Sequence, residues 1–371
     1  MPLSRTIIYL LLFGNLSEDT MEKAIPLQKN SFYTKRLAEG CKYCEKGSKM
    51  VLLITGLCPS NCFYCPLSEK KKNKDVIYAN ELLADNEEKI LEEGELMEAE
   101  GTGITGGDPL VVEERTARII KMLKEHFGEK HHIHLYTSLM EKEKVERLAD
   151  AGLDEIRFHP PSEIWDKIDS TPLREIADEL SIDVGIEIPL IPHMKEETIK
   201  LLRSACSYGI DFVNLNELEF SETNFEQMEK YGYEVKSDIS NAVKGSEEMA
   251  YEILEQDISL PIHYCSSSFK DGIQLRKRIM RRARNVAKLY DIITEDGTLL
   301  KGVIYAGRDE VENIREKFSI SRDMIAWDGE KKRIETSPFI IEEIADKLPY
   351  RCYIVEEYPT ADRLEVEMEP L

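Results

Sequence analysis

Residues 50–66 read MVLLITGLCPSNCFYCP: five apolar residues run straight into a loop carrying Cys58, Cys62 and Cys65. An apolar run of that length, closed by Thr55-Gly56, fits a buried strand and is short for a helix. The pattern returns along the chain. Strands are expected at Met50–Thr55, Gly103–Gly106, Ile133–Thr137, Glu155–His159, Val184–Leu190 and Phe212–Asn216. Amphipathic, helix-like stretches lie between them at Ala79–Glu95, Glu113–His126, Lys142–Ala151 and Lys195–Tyr208. Strands alternating with helices predict an α/β fold, a full or partial βα (TIM-like) barrel. Active groups of such barrels sit on the loops after the strands, which is where the three cysteines fall.

The spacing C-x3-C-x2-C in one tight loop suits three irons of a 4Fe-4S cubane and leaves the fourth iron without a protein ligand. An open metal position is where a substrate or cofactor coordinates. A zinc knuckle would need a fourth Cys or His close by, and the loop has none.

The chain has 371 residues, 42% of them hydrophobic, enough for one large domain and a smaller one. Its net charge of −22 opposes binding to nucleic acid and acidic membrane over most of the surface. Eight cysteines are too sparse for a disulfide scaffold, and five lie between Cys41 and Cys65, a clustering that suggests metal ligation. Free thiols of this kind point to the reducing cytoplasm. Ile7–Phe13 resembles the apolar part of a signal peptide, but no small-residue cleavage site follows it, and Met21 offers an alternative start.

With its aromatic residue before the last cysteine, the loop closely resembles the signature of the radical S-adenosylmethionine superfamily, over about Met50 to Asn216. The resemblance implies that Cys58, Cys62 and Cys65 hold a 4Fe-4S cluster whose open iron takes S-adenosylmethionine. One-electron reduction would then release a 5′-deoxyadenosyl radical. It further implies an electron donor such as ferredoxin or flavodoxin, and it sets Tyr64 near the adenine. Thr105-Gly106-Gly107-Asp108-Pro109 matches the family's GGEP-like stretch, with Asp108 in place of the commoner Glu. Gly106, Gly107 and Asp108 are therefore expected around the methionine amino group. At later strand ends, Thr137, Ser138, His159, Glu187, Asn214 and Asn216 are candidates for the cofactor or the substrate.

Cys41 and Cys44 precede the first strand, and His263 and Cys265 close a further apolar run, Pro261–Cys265. If that run lay beside the first strand and closed the barrel, these groups could form a second site for zinc or another iron–sulfur cluster. Cys206 and Cys352 read as lone core residues. Residues 270–288 carry eight Lys or Arg and one Asp on a helical pattern, and residues 81–100 carry nine acidic groups, so the two are expected to pack together. From Tyr290 the pattern changes: the turns Asp296-Gly297 and Asp328-Gly329 sit between alternating runs, with helix-like Asp309–Phe318 and Ile340–Leu348, giving a small C-terminal α+β domain.

The expected domains are thus 1–48, an extension bearing the Cys pair; 49–289, the barrel and basic helix; and 290–371. The chain resembles the pyruvate formate-lyase activating group most, with a small-molecule or peptide substrate and neither nucleic acid nor membrane as partner. Two other functions fit parts of the sequence: an RNA-modifying radical enzyme using the basic helix, and a non-catalytic zinc-binding interaction protein.

Overall fold

The computed structural model describes residues 24–371; Ile7–Phe13 and Met21 lie outside the described residues. Seven parallel strands form the central sheet in sequential order: β1 (Lys49–Leu53), β2 (Gly101–Thr105), β3 (His132–Thr137), β4 (Glu155–Phe158), β5 (Asp183–Leu190), β6 (Phe212–Glu217) and β7 (Ile262–Cys265). Helices α2 (Glu87–Leu96), α3 (Glu113–Phe127), α4 (Lys142–Asp150), α5 (Leu173–Glu179), α6 (Lys195–Ser207) and α7 (Ser246–Leu254) fill the crossovers. Strand order that follows chain order is that of a singly wound βα barrel.

This barrel is open. β7 pairs with β6 and with Phe32–Thr34, whereas β1 pairs with β2 and with Tyr78–Ala79. The expectation that the Cys265 strand closes against β1 is therefore overturned: antiparallel hairpins, Ala24–Thr34 on one side and Tyr78–Leu83 on the other, occupy both edges. Covering the edges in this way removes templates for unwanted pairing. The helix expected from Ala79 begins only at Glu87. Asn80 adopts a left-handed φ of 50°, and its side-chain oxygen accepts from the Val51 amide at 3.0 Å, turning the chain back along β1. Asn86 then caps α2 through the Lys89 amide.

Buried parallel strands usually read as unbroken apolar runs. Here they alternate. Ile133, Leu135, Ile156, Phe158, Ile186, Ile188, Val213, Leu215, Ile262 and Tyr264 join the hydrophobic core. The residues between them, including His134, Tyr136, Arg157, Glu187, Asn214 and His263, face the other way, into the barrel. The interior is polar, which is unsuited to a filled core and suited to a site.

A short helix, α1 (Glu39–Lys46), lies against the interior near the start of the strands. It can do so because residue 40 is glycine: a β-carbon there would sit 2.4 Å from His134 Nδ1 and 2.6 Å from the Arg157 guanidinium. The Gly40 amide donates to Glu155 at 2.9 Å.

The basic segment forms α8 (Arg276–Val286) after one π-helical turn at Lys270–Leu275. Its cations meet the acidic stretch as expected: Arg278 pairs with Glu81, Arg282 with Glu93 and Arg281 with Glu100. Arg282 also donates to the Pro359 carbonyl, tying the barrel to the C-terminal part. That part is a separate antiparallel sheet built on β8 (Leu299–Ile304), with helices at Glu310–Lys317 and Pro338–Ile344. Both predicted glycine turns join paired strands there. Lys301, Arg333, Glu335 and Glu357 form a buried ionic network within it.

Candidate cluster and cofactor site

The cysteine loop is stitched to the loop after β2. Gly107 N donates to Thr55 O at 2.7 Å and Asp108 N to Leu57 O at 2.8 Å. Glycine is required at both positions for this approach: a β-carbon on Gly106 would lie 2.3 Å from Thr55 O, and one on Gly107 2.2 Å from Leu57 O. Asp108 is fully buried. Its carboxylate accepts from Leu110 N, from Thr137 Oγ1 at 2.8 Å, and from Ser138 N and Oγ at 2.8 and 2.7 Å. Asp108 thus joins the ends of β2 and β3, and Ser138 carries the contact on to Ser60 at 3.1 Å.

Tyr64 is buried, and its hydroxyl lies 3.0 Å from His159 Nε2. The other ring nitrogen, Nδ1, is 2.7 Å from the Glu187 carbonyl, so Nδ1 carries the proton and Nε2 accepts from Tyr64. Burial lowers the His159 pKa and raises that of Tyr64, keeping both neutral. From the far side, Asn224 donates to the Tyr64 carbonyl at 3.0 Å.

Cys58, Cys62 and Cys65 open onto one cavity of about 740 Å³, together with Tyr64, Gly106, Gly107, Thr137, Ser138, His159, Glu187 and Asn216. Of the residues expected at the cofactor or substrate, Asp108 and Asn214 stand behind the wall. Burial raises the thiol pKa of Cys58 and Cys62, so a metal held there would have to displace their protons. The donor set fits an iron–sulfur cluster: three thiols and no imidazole or carboxylate within the loop. Among the described residues no three His, Cys, Asp or Glu side chains stand together as a metal cage.

Below the loop, the floor is a network of paired charges. Arg157 reaches Glu187 at 2.7 Å, Tyr136 OH at 3.1 Å and Glu155. Glu187 also accepts from Asn214 at 2.7 Å and Asn216 at 2.9 Å. Burial alone would raise its pKa, but Arg157 and the two amides prevail and hold it below the usual carboxylate value. Lys49 contacts His132 through Nδ1 at 2.7 Å and the carbonyl at 2.8 Å, and burial brings its pKa down to about 7.

Cys41 is at this floor. Its sulfur accepts from Asn214 at 3.2 Å and Arg157 at 3.4 Å, and burial pushes its thiol up to about 12. Cys44 opens onto the cavity, and Cys265 receives the Gln274 amide at 3.5 Å. The three thiols share one interior region, close enough that Cys41 and Cys44 each raise the pKa of Cys265. His263 is buried beside them with both ring nitrogens unpartnered.

Arg157, Lys49, His134 and Tyr136 were absent from the sequence-level candidates. The polar positions at period two within HIHLYT and EIRF are the signal that marks His134, Tyr136 and Arg157, and Lys49 carries no such signal.

Residues 52–162 match the radical SAM superfamily, and residues 297–371 match a domain of unknown function. A Methanocaldococcus jannaschii protein named as a glycyl-radical enzyme activating enzyme is 44% identical over 353 residues, covering 91% of this chain and 93% of that protein. Among solved structures, Streptococcus suis SuiB bound to S-adenosylmethionine is 12% identical with a TM-score of 0.38, over 59% of this chain and 50% of that one. Methylornithine synthase is 19% identical with a TM-score of 0.38, over 52% and 58%. The likeness to these solved chains takes in little more than half of their length.

Proposed function

Since this chain belongs to the radical S-adenosylmethionine superfamily, we propose that Cys58, Cys62 and Cys65 hold its 4Fe-4S cluster and that the reaction removes a hydrogen atom from a glycine of a partner protein. When bound, the cluster supplies one electron to S-adenosylmethionine, giving methionine and a 5′-deoxyadenosyl radical that leaves as 5′-deoxyadenosine after taking the hydrogen. The chain's own residues bind and orient. Gly106 and Gly107 let the two rim loops close on each other, and Asp108 fixes their spacing through Thr137 and Ser138. Tyr64 and His159 brace the cysteine loop from the β4 side.

The observation that carries the substrate class is the state of the charges on the floor. Glu187 is paired with Arg157, Lys270 with Glu219, and Glu217 with Lys236. Burial lowers the Lys49 pKa to about 7, and His134 and His159 are held neutral in the same way. The carboxylates of the floor are thus paired, while Lys71 and Lys72 of the lining have no ion-pair partner among the described residues, and a floor of paired carboxylates offers little to a cationic metabolite. It suits a neutral peptide segment, in keeping with the name of the archaeal relative.

RNA modification gains little from the basic helix, of whose arginines Arg278, Arg282 and Arg281 are paired with Glu81, Glu93 and Glu100 and Arg276 with Asp296. The test is anaerobic incubation of the reconstituted protein with dithionite and S-adenosylmethionine, reading 5′-deoxyadenosine by chromatography. A cluster-loaded protein that yields none overturns the reading. Electron paramagnetic resonance of a mixture with a glycyl-radical enzyme tests the substrate: a glycine-centred doublet is expected.

A further inference from the structure

Of the basic runs at residues 270–288 and 70–74, only the first is largely paired with acids. Arg278, Arg282 and Arg281 of α8 pair with Glu81, Glu93 and Glu100, and Arg276 pairs with Asp296. The other run, Lys70-Lys71-Lys72-Asn73-Lys74, begins five residues after Cys65, in a chain of net charge −22. Among the described residues none of its four lysines has an ion-pair partner. Lys71 lies over the Tyr78 ring at 4.6 Å and Lys74 donates to the Glu69 carbonyl at 2.9 Å. Of the two flanking acids, Asp75 is held by Arg115 at 2.6 Å, and Glu69 is exposed.

The run is fixed to the cysteine loop. Gly56 N donates to Lys74 O at 2.8 Å and Asn73 N to Gly56 O at 2.9 Å. A β-carbon on Gly56 would lie 1.7 Å from Lys71 O, so glycine there lets the two loops lie in contact. Asn73 turns the chain with φ 59°. Asp75 braces the same junction, accepting from Thr55 at 2.9 Å as well as from Arg115. A local concentration of positive charge is thus clamped to the segment that leads into Cys58, and Lys70 and Lys74 point to solvent.

We propose that residues 70–74 are the docking surface for a small acidic one-electron carrier protein, which supplies the electron that the cluster passes to S-adenosylmethionine. This rests on the cleavage reading above. Each cleavage takes up one electron, so the carrier is oxidised by one electron as the carbon–sulfur bond breaks. An overall negative protein repels an acidic carrier except where a local positive patch reverses the field, and that patch then selects the face of approach. Here that face lies next to the cluster loop, where the path for the electron is short.

The test uses the cluster-loaded, full-length protein and its Lys70→Glu/Lys74→Glu variant, driven in parallel by dithionite and by reduced flavodoxin. Both positions lie outside the cavity lining. With flavodoxin, wild-type kcat/KM for the carrier should fall steeply as salt rises from about 0.05 to 0.3 M, because the attraction is screened. The variant should lose about tenfold or more at low salt and show little salt dependence. With dithionite, the two proteins should make 5′-deoxyadenosine at equal rates. Equal flavodoxin-driven rates overturn the docking surface, as does an equal loss with both donors, which would place the lysines at the cofactor site. Failure of the wild type with dithionite overturns the cleavage reading itself.

Discussion

Gly107 and Leu57 are in such close contact that a β-carbon on the glycine would sit 2.2 Å from the Leu57 carbonyl oxygen. The pair joins the two loops that define the rim of the barrel, and it changes what a substitution there should do. From sequence, the glycines of GGDP leave room for a ligand. In the fold they also leave room for the cysteine loop. Gly106→Val and Gly107→Val should therefore lower cluster iron content and thermal stability together, by about 1–3 kcal/mol or more for the clash. Iron analysis and a melting curve on each variant check this; normal iron with only weakened S-adenosylmethionine binding would show that the loops tolerate the β-carbon.

Replacing Cys58, Cys62 or Cys65 with Ala should abolish cluster loading and 5′-deoxyadenosine formation, since each thiolate would hold one iron and the loop has no spare ligand. Acid-labile sulfide and product analysis measure both. Full cleavage by any one of the three variants would sink the ligand assignment.

Asp108→Ala removes an acceptor from four donors on Leu110, Thr137 and Ser138, two of them backbone amides. Leaving buried donors unpaired costs about 1–3 kcal/mol each. The variant should lose thermal stability and bind S-adenosylmethionine more weakly. Asp108→Asn keeps one acceptor oxygen, the amide carbonyl, and should recover part of both losses, read by calorimetry and equilibrium binding. A stable Ala variant with unchanged affinity would show that Asp108 does not hold the rim.

Lys49 gives a pH signature. Its pKa is about 7 in the fold, lowered by burial, and 10.5 unfolded. Between those values the unfolded chain binds more protons, so this residue adds stability as pH rises from about 7 to 10 and imposes its full cost below 7. Lys49→Met should therefore raise the melting temperature near pH 6 and gain much less near pH 9.5. A gain that is equal at both pH values would mean that Lys49 keeps its ordinary pKa.

The sequence by itself determined the barrel strands and the position of the cysteine loop. Both follow from local signals: short apolar runs alternating with amphipathic stretches, and three thiols spaced within a single turn of chain. It also favoured the partner of α8, since residues 270–288 carry eight cations and residues 81–100 nine acids. Only the tertiary structure decided how the barrel ends. Pairing of edge strands depends on which segments reach the edge, and Phe32–Thr34 takes the place beside β7 that β1 would need for closure. It likewise decided that Gly40 admits α1 against the interior and that Arg157 joins Glu187 and Cys41. Those residues lie more than a hundred positions from the Cys41 helix or on separate strands, and contacts at that separation are set by how the strands pack together, which the local sequence pattern does not carry.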